Sequence, residues 1–163
     1  MMLRTPLMPA VLLAVLVTLP VPALAGGARV GNATLSSTPF ANAAYGLGVV
    51  SGQARLSNAG RATTSVVVGV AGLQPGTTHI GHIHFGDAAD PCARLQPGAI
   101  IEDLGPFVAN AHGTAVARTV IETPTVGVDD CEWWVAIHEG PENATPQTPA
   151  IAIGALRFVA PGS

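Results

Sequence analysis

Short apolar runs, separated by clusters of glycine, proline, asparagine and aspartate, follow one another along most of the chain. Runs of this length, bounded in this way, are typical of the strands of a β-sandwich or barrel. No segment carries a helical stripe of apolar residues over three turns. The pattern therefore predicts an all-β domain with seven strands, at 28–36, 48–57, 63–71, 78–85, 114–122, 131–138 and 150–158.

Two predicted loops, 86–106 and 139–149, are longer than the other connections, and each begins directly after a histidine-bearing strand. Loops of this length in a compact domain are usually functional or held by a cross-link. We therefore expect both loops to lie at one pole of the domain, over the histidines.

The N-terminal segment has the layout of a secretory signal peptide. Arg4 is followed by an apolar run at 9–19 and then by Pro22-Ala23-Leu24-Ala25, which ends in small residues before Gly26. The apolar run is too short and too rich in proline for a membrane span. We predict a signal peptide at 1–25 and one domain at 26–163, exported to the periplasm or secreted, with no membrane contact after cleavage.

The charge balance narrows the partners of this domain. Lysine is absent, and without Arg4 six arginines face ten acidic residues, a net charge of −4. There is no basic patch to hold nucleic acid and no basic amphipathic helix to hold a membrane, so neither is expected as a partner. Apolar residues make up 48% of the chain, which favours a packed domain over disorder. Composition gives no indication of the oligomeric state.

Two cysteines, Cys92 and Cys131, lie in the mature region. In an exported protein such a pair more often forms a disulfide than remains as two thiols. The geometry of this bridge is unfavourable, because a regular strand would place Cys131 about 23 Å from His138. The prediction of a Cys92–Cys131 disulfide therefore depends on the compartment, and two buried thiols are the alternative.

Histidines supply the candidate chemistry. His82 and His84 are two residues apart in one predicted strand and so share a face, whereas His79 points to the other face. His138 is the last residue of another predicted strand. Trp133, Val135 and Ile137 lie on the opposite face of that strand and have the pattern of core residues. Two imidazoles from one strand and a third from another make a three-nitrogen set suited to copper or zinc. A surface pair of histidines unrelated to His138 is the alternative.

Four segments resemble the Cu/Zn superoxide dismutase family, in the same order along the chain. They are GLQPGTTHIGHIHFGD at 72–87, ANAHGTA at 109–115, IHEGPEN at 137–143 and GALRF at 154–158. The resemblance implies a Greek-key β-sandwich or flattened barrel. It also implies copper ligation by His82, His84 and His138, a structural role for His79, and Arg157 as the catalytic cation that draws an anionic substrate toward the copper.

The chain departs from that family at the zinc site. The segment 93–101 has no histidine to bridge copper to zinc and none to hold zinc, and Asp103 alone does not make a zinc site. We therefore expect copper without zinc. His112 lies in a predicted turn a strand length away, and we interpret it as an exposed residue.

Several functions remain open at this point. The first is a copper protein that resembles the dismutases and converts superoxide. The second is a non-enzymatic copper binder or carrier with the same three ligands. Chordin-type (CHRD) domains also carry an H-I-H strand and a later V-x-V-H strand, which makes a metal-free structural domain the third. A three-histidine zinc site that activates water is the fourth.

Overall fold

The computed structural model describes residues 29–39, 41, 48–58, 63–86, 92, 98–123, 125, 128–140 and 149–159. The predicted signal peptide, most of both long loops and the turn after Asn58 lie outside these ranges. Among the residues described, no helix is both long enough and apolar enough to cross a membrane.

The described residues form nine β-strands, and the predicted all-β class is confirmed. The strands are β1 Val30–Ser37, β2 Ser51–Asn58, β3 Thr64–Ala71, β4 Thr78–Phe85, β5 Ile100–Val108, β6 Thr114–Ile121, β7 Trp133–His138, β8 Ala150–Ala155 and β9 Arg157–Val159.

The strands make one antiparallel sheet in the order β5-β4-β7-β8-β1-β2-β3-β6, with β9 also paired to β1. The two end strands, β5 and β6, lie against each other, so the sheet curls into a nearly closed, flattened barrel. Strands β4, β5 and β6 are neighbours in sequence and in space, and β7 returns to lie beside β4. This 7-4-5-6 order is a Greek key.

Alternation along β1, β2 and β3 separates the interior of the barrel from solvent. In β3, the even-numbered residues are buried and the odd-numbered ones are only half-buried. The inward side chains join those of the opposite strands in one core, which includes Leu35, Leu56, Val66, Val68, Ile83, Phe107, Val135, Ile137, Ile151 and Leu156. One face of these strands is therefore free to carry polar groups.

Strands β4 and β7 depart from this alternation, because they are buried on both faces. Every residue of β7 is buried, and so are residues 79–84 of β4. At Gly81 the interior leaves no space for a side chain, since an added Cβ would lie 2.5 Å from the Phe107 ring. The outer face of this strand pair is thus enclosed as well, and it carries the histidines.

The predicted strand pattern is wrong at two places. The segment assigned to the loop 86–106 contains most of β5, an end strand whose pairing with β4 shifts register twice. The apolar pattern did not predict this strand because it contains Gly105 and Pro106, which are typical of loops. The last predicted strand is also interrupted at Leu156, whose side chain enters the core while its N–H donates to Trp133 O.

The predicted Cys92–Cys131 disulfide is confirmed, with a Cα–Cα distance of 5.0 Å. The expected difficulty of geometry disappears because β4 and β7 are antiparallel. Phe85 pairs with Trp133, and Gly86 N–H donates to Glu132 O, so the end of β4 lies beside Cys131. Cys131 has a φ of 64°, in the left-handed region, and its N–H donates to Leu156 O at 2.7 Å.

The disulfide closes a loop between residues 39 apart in sequence. Restricting the unfolded chain in this way stabilises a protein by about 3–4 kcal/mol. We therefore expect the Cys92→Ser/Cys131→Ser double variant to lose roughly that much unfolding free energy in urea titrations. A reducing agent should lower the stability of the wild-type protein to the same level and leave the variant unchanged. An unaffected wild-type protein would contradict this role.

Candidate metal centre

Strand register brings three histidines to one side of the β4–β7 pair. His84 pairs with Trp134 and His82 with Ala136, and His138 follows two residues later on the same strand. Residues opposite each other in a ladder share a face, and so do residues two apart along a strand. All three rings therefore lie on the face that points away from Ile83, Val135 and Ile137 of the core.

The three rings form a compact triangle. Their centroids are separated by 5.5 Å between His82 and His84, 4.9 Å between His82 and His138, and 5.5 Å between His84 and His138. One ring nitrogen from each lies within 4.8 Å of the other two. The relative exposures are 4%, 1% and 3%, so water has little access to any of the three rings.

His84 and His138 direct ring nitrogens at each other. His84 Nδ1 lies 3.1 Å from Gly98 O, and since a carbonyl can only accept, this nitrogen is the one that donates. The other nitrogen, Nε2, lies 3.3 Å from His138 Nε2. Backbone contact thus orients His84 with its Nε2 toward the centre of the cluster.

His82 is oriented from the other side, by a carboxylate. Its Nε2 lies 3.1 Å from Asp103 Oδ1 on β5. Burial lowers the pKa of His82, and this effect outweighs the opposite influence of Asp103, while His84 lowers it further. The ring is therefore neutral at neutral pH, and the contact is a hydrogen bond from Nε2–H to the carboxylate. That leaves His82 Nδ1 buried with no hydrogen-bond partner.

His79 supports this cluster from the other face of β4. Its Nδ1–H donates to the backbone carbonyl of His138 at 3.1 Å, and its Nε2 lies 2.8 Å from Thr77 Oγ1. Burial lowers the pKa of His79, although the hydrogen bond to His138 acts in the opposite direction. The side chain is thus placed to hold the end of β7, where His138 leaves the strand.

The histidine cluster has features that suit a metal ion. His84 Nε2 and His138 Nε2 are 3.3 Å apart, so bonds of 2.0–2.1 Å could join both nitrogens to one ion at an angle of about 107°. A buried nitrogen without a partner, such as His82 Nδ1, is costly unless it binds something. Hydrogen bonds from the second nitrogen of a ligand histidine to a carboxylate or carbonyl are a regular feature of metal sites. The cluster could therefore hold a metal ion, with no indication of which metal.

Arg157 lies beyond the end of β8, two strands from β4. Ala155 of β8 is level with Trp134 and hence with His84, and Arg157 lies two residues farther along the chain. Two strand spacings and two residues put its Cα about 12 Å from that of His84. Its partner is instead Asn32 of β1, and its side chain is exposed. His112 is an exposed turn residue, as expected.

Sequence reasoning missed the two groups that orient His82 and His84. From the sequence, Asp103 is considered only as a zinc ligand, and Gly98 lies in a predicted loop. Both depend on β5 lying beside β4, which the apolar pattern did not reveal. An added Cβ at Gly98 would lie 2.6 Å from Phe85 O, so a glycine here allows the close approach of the two backbones.

His79 provides a test of the support beneath the cluster. We expect His79→Leu, which retains bulk but removes the Nδ1–H donor, to lower the unfolding free energy by about 1–3 kcal/mol because a buried hydrogen bond is lost. His112→Leu, the same substitution at an exposed turn, should change it by less than about 0.5 kcal/mol. Urea denaturation of both variants measures the difference, and equal stabilities would contradict the assigned role.

Comparison with known proteins adds no identity to this geometry. No family model matches the chain, and no curated protein matches it. The chemistry of the three histidines and their partners is therefore the basis for assigning a function.

Proposed function

We propose that the protein is an exported copper-binding protein, in which His82, His84 and His138 hold one copper ion. A single observation carries this proposal: one ring nitrogen from each of three buried histidines lies within 4.8 Å of the other two, and His82 Nδ1 is buried with no hydrogen-bond partner. Neutral imidazole is the form that binds metals, and burial favours it for His82. Copper ranks above zinc in affinity for nitrogen ligands, which is why copper is proposed.

Dismutation of superoxide is the second part of the proposal, and the depth of the cluster favours it over carriage. A carrier must release its ion to a partner, whereas each of these rings is buried, and His82 and His84 are also held by Asp103 and Gly98. Copper bound there would supply one-electron exchange, by which two superoxide ions and two protons give dioxygen and hydrogen peroxide. The chain contributes fixed ligands and limited access of water.

Arg157 has no assigned role in this proposal, because its side chain lines a groove beside Arg55 and its Cα lies about 12 Å from that of His84. No other arginine takes its place among the described residues near the histidines. Guidance of an anion to the site would then be weak in a protein of net charge −4. We therefore expect slow turnover of superoxide rather than a reaction limited by diffusion.

Copper titration of the mature domain tests the proposal. We expect one copper ion per chain, and a loss of affinity of more than about 100-fold in His82→Ala and in His138→Ala, since each removes a ligand. Asp103→Asn, which keeps the shape of the side chain but weakens the acceptor, should cost about 10-fold. Circular dichroism and calorimetry on the same samples would establish that each variant is folded.

His112→Ala is the matched control, because it removes an exposed imidazole that is not part of the cluster. It should bind copper like the wild-type protein. Equal binding by all five proteins would contradict the copper site and leave a metal-free structural domain. Tight binding without any effect on superoxide decay, measured against the copper-free protein, would retain the site and exclude the dismutase activity.

Export is proposed together with this function. The disulfide is compatible with an oxidising compartment, and the predicted signal peptide would direct the chain there. N-terminal sequencing of the exported protein should find Gly26 as the first residue. Recovery of the uncleaved chain from the cytoplasm would contradict the periplasmic or secreted location.

A further inference from the structure

A row of residues in register crosses five adjacent strands of the barrel, in the order β9, β1, β2, β3 and β6. Each member is the direct register partner of the next: Arg157 of β9 with Asn32, Asn32 with Arg55, Arg55 with Val67, and Val67 with Arg118 of β6. Direct partners share a face of the sheet. Three arginines are thus aligned, one on every second strand. By strand spacing, the Cα atoms of successive arginines are about 10 Å apart, and those of the first and last are about 19 Å apart.

Acidic residues are absent from the strands that carry this row. None of β1, β2, β3, β6, β8 or β9 contains aspartate or glutamate. Within the part of the chain that the structure describes, Arg55, Arg118 and Arg157 form no salt bridge. Although the mature protein has an expected net charge of −4, this face therefore carries three arginines without a salt-bridge partner among the described residues. The nearby carboxylate of Asp130 accepts a hydrogen bond from Phe158 N–H, next to Arg157.

A groove of about 830 Å³ lies along the first half of the row. Ligand sites commonly have volumes of about 300–1,000 Å³. Arg55 and Arg157 line it together with Asn32, Thr34 and Gln53, and Ala155, Val67 and Val159 complete its apolar parts. The groove therefore combines two guanidinium groups, which pair well with carboxylates and sulfates, with amide and hydroxyl groups that pair with sugar hydroxyls.

We propose that this face binds an acidic polysaccharide, a chain of sugars that carries carboxylate or sulfate groups. A single small anion would use only the two arginines of the groove, whereas a linear polyanion lying across the strands also reaches Arg118. The amide and hydroxyl groups between the arginines would contact the sugar hydroxyls. This site is separate from the histidine cluster, because no histidine lines the groove and the Cα of Arg157 lies about 12 Å from that of His84.

The side chains of this face do not favour nucleic acid as the polyanion. No aromatic residue is among those that line the groove, so there is no surface on which bases could stack. Three aligned cations are also few for duplex DNA, whose affinity depends on neutralising many phosphates. Hydroxyl-rich chains with more widely spaced anionic groups suit this face better.

The experiment measures binding of the metal-free mature domain to dextran sulfate, to alginate and to uncharged dextran by titration calorimetry at several salt concentrations. We expect binding to both charged polymers, weakened by salt, and none to dextran. Arg55→Gln and Arg157→Gln should each reduce the affinity about fivefold, as expected for the loss of one exposed ionic contact.

Arg29→Gln is the matched control, since it removes the same charge outside the row, from a side chain that donates to Val128 O. It should retain wild-type affinity. A similar loss in this control would overturn the proposal, as would dextran binding equal to that of dextran sulfate. Full competition by inorganic sulfate at millimolar concentration, or equal affinity for a DNA duplex, would also overturn it, in favour of a small-anion site or an unselective cationic surface.

Discussion

The antiparallel pairing of β4 with β7 is the constraint on which the rest of this structure depends. It sets His84 beside Trp134 and His82 beside Ala136, so that His138 reaches the same cluster. It also brings the end of β4 to the start of β7, where the disulfide forms. A slip of one residue would turn the rings into the barrel and expose Ile83 and Val135. Core packing therefore maintains the histidine cluster without contacting it.

Burial on both faces makes this strand pair different from the others. On the outer face of β1, β2 and β3, polar side chains meet solvent, and their hydrogen-bonding needs are met by water. Around the histidines water has little access, so each ring needs partners within the protein. Asp103 is the partner of His82, the Gly98 carbonyl that of His84, and the His138 carbonyl that of His79. His82 Nδ1 remains without a hydrogen-bond partner. An unmet polar group in so enclosed a place is the physical argument for a bound ion.

Two regions of the outer face of the barrel therefore suit different ligands. Neutral imidazoles beside a carboxylate suit a cation that stays in place. Arginines in a row, on strands without acidic residues, suit an anion that comes from outside. Arg157 lines the groove together with Arg55, which is why it is assigned to the groove.

Most strands could be predicted from apolar alternation, because a strand with one solvent-exposed face has apolar residues at every second position. The strands containing His82, His84 and His138 were predicted nearly to the residue. β5 was missed, since its pairing is irregular and its interior contains Gly105 and Pro106. That omission concealed Asp103 and Gly98, and with them the reason why two of the rings point as they do.

The sequence by itself determined the all-β class, the face shared by His82 and His84, and the presence of a cysteine pair. These follow from local geometry, since the direction of a side chain alternates along any strand. Only the tertiary structure decided which strands became neighbours. Because neighbours far apart in sequence are selected by packing of the whole core, no local pattern could place Cys131 beside the end of β4, Asp103 against His82, or Arg55, Arg118 and Arg157 in one row.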